Sequence, residues 1–317
     1  MADVLVTGGC GYIGSVLIPQ LLADDRVATV RVLDSLAGGS PTSLLGCFGG
    51  SLEFVEGDVR EYDDVESAAR GIDTVIHLAA ITGARTAHDR SQETVETNYR
   101  GSANVLDAAV ACDVGRFVFA SSCNVYGRAA AEELSEESAA DPINPYAASK
   151  LDAETLVAEA SAQSSMSATS LRMSTVFGTA PGMRFNLVVN QFVFRAVTGR
   201  RLTVYGDGTN WRPFVHVEDA ARAYREAALA PSDWPAAVYN VGDGGQNLQI
   251  DEVAATVRDL VGPVDLRYLE QEDPGPSYHV NFDRLGETGY QTEHSVSGGI
   301  EDLAAQLRGS ESLEPSR

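Results

Sequence analysis

The chain of 317 residues carries 45 Asp and Glu against 23 Lys and Arg, a formal charge of −22 with a pI near 4.5. Such a field repels nucleic acid and anionic membranes, so neither is expected as a partner. Apolar residues at 44% suffice for a full core, no apolar run has the length of a membrane span, and Cys10, Cys47, Cys112 and Cys123 lack paired spacing, so reduced thiols and no metal site are expected.

All but one of the basic residues are Arg; the single lysine is Lys150. The acids are scattered over helix faces instead of gathered in a tail. Strong acidity almost without lysine points to a halophilic protein, built for a salty cytoplasm that screens its self-repulsion. The first residues enter a strand-like run with no basic segment or cleavage site, so a cytoplasmic location is expected.

In chain order, strands are predicted at 4–7, 30–34, 52–56, 74–79 and 116–121. Helical patterns run over 12–23, 65–70, 93–114 and 144–162, and a further strand spans 168–172. Strands separated by amphipathic helices predict βαβ units in a doubly wound parallel sheet, an α/β fold. Between the first strand and helix, "TGGCGYIG" places Gly8, Gly11 and Gly14 with Tyr12 and Ile13 where a backbone turn brings a dinucleotide pyrophosphate onto a helix N-terminus. Asp34 ends the second strand, twenty residues past Gly14, and suits the adenosine ribose hydroxyls. A carboxylate there repels a 2′-phosphate, and Ser35 follows where an Arg would favour it, so NAD is expected over NADP.

After the third strand, "GDVRE" presents Asp58, which suits an adenine amino group, and Val59. "HLAA" ends the fourth strand with Leu78, Ala79 and Ala80 small enough for the cofactor to lie close. His77 reads as a packed strand-end residue. "FASSCNVYG" sets Ser121 and Ser122 at the end of the fifth strand, and "NPYAASK" sets Tyr146 and Lys150 one helical turn apart on one face. A tyrosine serves as a base only if its pKa falls from about 10, which an adjacent ammonium and a positive nicotinamide favour. Ser122 would then hold the substrate oxygen while Tyr146 moves its proton.

Beyond Gly178 short strands and two helices predict a smaller α/β lobe interleaved with the sheet. The expected division is 1–178 for the cofactor, 179–308 for the substrate, and a polar tail at 309–317.

These motifs, with "WRPFVHVEDAA" and "YNVG", resemble the extended short-chain dehydrogenase/reductases of the nucleotide-sugar epimerase/dehydratase family over nearly the whole chain. The resemblance implies a Rossmann-type fold, NAD as cofactor, a nucleotide-sugar substrate and a homodimer joined through paired long helices. It implies that Ser122, Tyr146 and Lys150 are catalytic, that Lys150 also grips the nicotinamide ribose, and that Asn98 belongs to the cofactor set. Dehydratases of the group carry an Asp-Glu pair where this chain has Cys123 and Asn124, so the implied activity is 4-epimerization of a UDP-sugar of the UDP-glucose/UDP-galactose type. Thr175 stands where a substrate-binding Asn is usual. Arg212 matches a diphosphate arginine, Asn186 and Asn190 match a diphosphate- or uracil-binding segment, and a second expected arginine is replaced by Asp273, with His279 the nearest cation. The alternatives are a 4-ketoreductase/epimerase using Cys123, a dehydrogenase, or a protein that only senses NAD.

Overall fold

A computed structural model of the chain describes residues 1–128, 133–230, 232, 234–270 and 276–309. The polar tail from 310 onward and Asp273 lie outside the described residues.

The first half runs β1 (Ala2–Thr7), α1 (Gly14–Leu22), β2 (Val27–Asp34), β3 (Leu52–Glu56), α2 (Tyr62–Ala69), β4 (Thr74–His77), α3 (Ala84–Asp89), α4 (Ser91–Val95), α5 (Gly101–Ala111), β5 (Arg116–Ser122), α6 (Pro145–Gln163) and β6 (Ser167–Met173). It continues through β7 (Thr175–Phe177), α7 (Val188–Val197), β8 (Leu202–Tyr205), β9 (Trp211–His216), α8 (Val217–Leu229), β10 (Val238–Val241), β11 (Asn247–Gln249), α9 (Ile250–Val261), β12 (Leu266–Leu269), α10 (Asp283–Glu287) and α11 (Val296–Leu307).

Seven strands form one parallel sheet in the order β10-β6-β5-β4-β1-β2-β3. This is the expected doubly wound Rossmann-type α/β sheet, and its order reverses beside β1, where such folds open a ligand crevice. Side-chain alternation divides the core as a strand period of two demands. Val4, Val6, Val118 and Ala120 pack with Leu17, Leu21 and Ala220 on the α1/α8 face. Leu5, Phe117 and Phe119 pack with Val65, Leu106 and Val157 on the α2/α5/α6 face.

The later segment is not a separate body. Its β10 returns to pair with β6, and α8 packs against α1. A third core of Phe177, Phe192, Phe214, Val257 and Ile300 holds α7, α9 and α11 together. Among the described residues no helix is long and apolar enough to cross a membrane.

Two predicted boundaries change for reasons that bear on the site. The fourth strand stops at His77, so residues 78–80 leave the sheet and line the cleft. The helix predicted over 93–114 is interrupted by a π-helical turn at Glu96–Arg100, which carries Asn98.

Candidate active site

A cleft of about 820 Å³ opens along the C-terminal ends of the sheet strands. Its cofactor half is built from the β1–α1 turn. Gly8 adopts φ of 73°, and a Cβ there would lie 2.7 Å from Ala79 Cα, so only glycine lets the turn meet residues 78–80. Gly11, Tyr12, Ile13, Gly14, Asp34, Asp58, Val59, Leu78, Ala79 and Ala80 all line this half, as the sequence predicts. Asp34 is fixed by the amides of Cys10 (2.9 Å) and Leu36 (2.8 Å). Asp58 is gripped by Arg60 at 2.6 Å, which holds its carboxyl below the usual carboxylate range. A glycine-floored turn, a helix N-terminus without acidic residues in its first turn and a carboxylate at the end of β2 fit the pyrophosphate and ribose of NAD.

The other half gathers Ser122, Asn124, Tyr146, Lys150 and Thr175. Ser122 closes β5. Asn144 caps α6 by accepting a hydrogen bond from the Ala147 amide at 2.9 Å, with Pro145 in the first helical position, and this fixes where Tyr146 and Lys150 begin their shared face. Lys150 Nζ lies 6.0 Å from the Tyr146 ring centroid and 4.8 Å from that of Phe119. Burial pushes the Lys150 ammonium down to about 7, against the pull of Glu154.

One expectation is corrected. The Tyr146 phenol is shifted up, because burial outweighs the lowering effects of Ser122 and Arg184. Burial thus works against the phenolate here, and the positive nicotinamide ring of NAD, when bound, would supply a further charge favouring it.

Beneath the trio, Glu154 accepts from Ser121 and pairs with buried Arg172 at 2.8 Å. Arg172 also donates to the Tyr126 hydroxyl at 3.1 Å. His77 is wholly buried between Thr7 (2.6 Å) and Ser102 (2.9 Å), and burial, then Lys150, lowers its pKa to about 3. A packed strand-end histidine is thus what the structure shows.

Several predicted residues are not brought to the cleft wall. Asn98 is fully buried; its amide oxygen accepts from Ile81 N at 2.7 Å and its amide nitrogen donates to Ser149 at 3.1 Å, so it braces the loop after β4 from behind. Cys123 is turned inward, away from the cleft wall, donating to the Arg172 carbonyl at 3.2 Å, and burial raises its thiol to about 12. Asn186 is exposed and accepts from Arg184 Nε at 3.3 Å. Asn190 is buried and accepts from the Gly178 amide at 3.0 Å. Arg212 donates to the carbonyls of Trp211 and Pro276 and lies 5.1 Å from the Tyr278 ring, behind rather than in the wall. His279 packs on Trp211 and faces Glu133 at 3.4 Å.

Sequence reasoning missed Arg184, Met183, Tyr278 and Thr82, which do line the cleft. Arg184 lies inside the segment "MRFNLVVNQF", whose asparagines carry the family match. Tyr278 donates to Asn124 Oδ1 at 3.0 Å, and Asn124 Nδ2 donates to Ser122 Oγ at 3.2 Å, a chain that orients the Ser122 hydroxyl.

No metal site was expected. Among the described residues one group, His216, Glu218 and His294, brings possible ligand atoms within 4.8 Å of one another, outside the cleft. Ion pairing accounts for it: His294 lies 3.2 Å from Asp219 and 3.3 Å from Glu218, and these carboxylates raise its pKa to about 10.

The model of the NAD dependent epimerase/dehydratase family matches residues 4–242. Low-salt glycan biosynthesis protein Agl12 of Haloferax volcanii is 31% identical over 305 residues, covering 94% of this chain and 96% of its own. The structure of DesIV, a dTDP-glucose 4,6-dehydratase from Streptomyces venezuelae with NAD and TYD bound, superposes with a TM-score of 0.87 at 28% identity, covering 97% of each chain. A UDP-glucose 4-epimerase from Thermus thermophilus in complex with NAD gives 0.85 at 27% identity, covering 97% of this chain and 99% of that one.

Proposed function

The chain therefore belongs to the NAD-dependent epimerase/dehydratase family, is an enzyme that uses NAD, and we propose that it is a nucleotide-sugar 4-epimerase acting on a UDP-hexose of the glucose/galactose type. One observation carries the choice. Among the described residues the carboxylates of the cleft wall are Asp34, Asp58 and Glu93, and none stands beside Ser122 and Tyr146. Eliminating water from a hexose needs an acid near the departing hydroxyl; Asn124 cannot supply a proton of that kind, and Cys123 faces away. The resemblance to DesIV supports the rival reading, a 4,6-dehydratase, which the missing carboxylate disfavours.

Bound NAD would accept a hydride from the sugar and return it. Tyr146 moves the proton of the C4 hydroxyl, and Ser122, held by Asn124, orients that oxygen. Lys150 holds the nicotinamide ribose and the positive charge beside the phenol. We assign residues 1–178 to the cofactor and 179–308 to the substrate wall, and a homodimer in a salty cytoplasm is the working state we expect. Product should form with no net change in NADH absorbance; accumulation or loss of NADH one for one with product would make the enzyme a dehydrogenase or ketoreductase instead.

A further inference from the structure

Arg184 sits in the segment between β7 and α7, and its backbone is pinned: its carbonyl accepts from Asn190 Nδ2 at 3.0 Å, while the nearby Gly182 amide donates to Ser15 Oγ at 3.0 Å. Its guanidinium spans the cleft mouth to the loop after β4, donating through Nη1 to Thr82 Oγ1 at 2.6 Å and through Nε to Asn186 Oδ1 at 3.3 Å. A guanidinium has five N–H groups, so most of its Nη2 edge is left for a further partner.

No carboxylate stands within ion-pair reach of Arg184 among the described residues. The acids of the same wall are already engaged: Asp58 by Arg60, Glu93 by Arg90, and Asp34 by backbone amides. A half-buried cation without a counter-charge is costly, and burial lowers its pKa accordingly. In a chain of net charge −22 such an arginine is best accounted for by an anion that arrives with a ligand. The positions from which a phosphate-binding cation was expected do not supply one to the wall, since Arg212 is spent on carbonyls and Tyr278, and His279 on Trp211 and Glu133.

We propose that Arg184 is a substrate-anion receptor, its free guanidinium edge taking an anionic oxygen of the bound nucleotide sugar, on the diphosphate or on a carboxylate carried by the sugar. This rests on the nucleotide-sugar reading above and adds to it the group that recognises the charged part of the substrate.

The test is calorimetric binding of UDP, UDP-glucose and UDP-glucuronate to the NAD-loaded wild type, Arg184→Gln and Arg184→Lys, with NAD affinity and melting temperature measured alongside. A charge-assisted contact predicts at least about a tenfold loss of affinity in Arg184→Gln. Arg184→Lys should lose less, because a point charge remains, and it keeps the test open if the glutamine variant is unstable. Loss for all three ligands places the anion on the diphosphate; loss for UDP-glucuronate alone places it on the carboxylate. Equal affinities in wild type and variants, or a parallel loss of NAD affinity, overturn the Arg184 assignment alone. A wild type that binds none of the three overturns the nucleotide-sugar reading and this inference together.

Discussion

Lys150 is 2% exposed, faces the Phe119 ring, and has Glu154 one turn further along the same helix. Its depressed pKa makes a stability prediction whose sign follows from proton counting. Below pH about 7 folded and unfolded chains both hold the proton, and the fold bears the full cost of a buried ammonium. Between about 7 and the ordinary lysine value the unfolded chain binds more protons, so stability rises with pH across that window. In cofactor-stripped protein, Lys150→Met should therefore raise the melting temperature most near pH 6, with the gain shrinking toward pH 10. Glu154 keeps Arg172 as partner, so the substitution orphans no charge. A gain that is flat with pH would contradict the burial of a titrating ammonium. Tyr146 and Lys150 were legible because their spacing alone sets them on one helix face, and the cofactor turn because its glycines follow a strand and precede a helix. Cys123 and Asn98 were misplaced because the direction of a side chain at a strand end or in a distorted turn is fixed by its distant neighbours, here Arg172, Ile81 and Ser149.

At the scale of elements, α6 is the piece that turns sequence into catalytic geometry. Its cap, Asn144, two residues before Tyr146, and first-turn Pro145 set the helix start. Asn144→Ala should cost about 1 kcal/mol of stability and should also lower kcat, since the frayed turn carries the phenol to which we assign the proton transfer. Denaturant melts and steady-state kinetics check both; unchanged kcat with reduced stability would mean that the cap does not position Tyr146. The strands of the sheet were legible from alternation, as β1 shows with Val4 and Val6 on one face and Leu5 on the other. The π-helical turn at Glu96–Arg100 was not, because such turns are rare single-turn bulges inside otherwise α-helical stretches. The return of β10 to the edge of the main sheet pairs Val238 with Ser170, a contact between distant segments that no local period encodes.

Across the whole molecule the charge is the dominant feature. With −22 charges and one lysine, which is buried, unscreened repulsion should destabilise the fold as salt is diluted. Thermal melts from molar to low salt should show a falling melting temperature; one that holds or rises on dilution would remove the salty-cytoplasm reading. The central claim, a retained hydride returned to C4 of a nucleotide hexose, is tested most directly by proton NMR of the products formed in D2O from a panel of UDP-, dTDP- and GDP-hexoses with the NAD-loaded enzyme. The account predicts the 4-epimer of a UDP-hexose with no deuterium at C4, because the hydride leaves and returns without meeting solvent. A 4-keto-6-deoxy product carrying deuterium at C5, or a 4-epimer deuterated at C4, would contradict it.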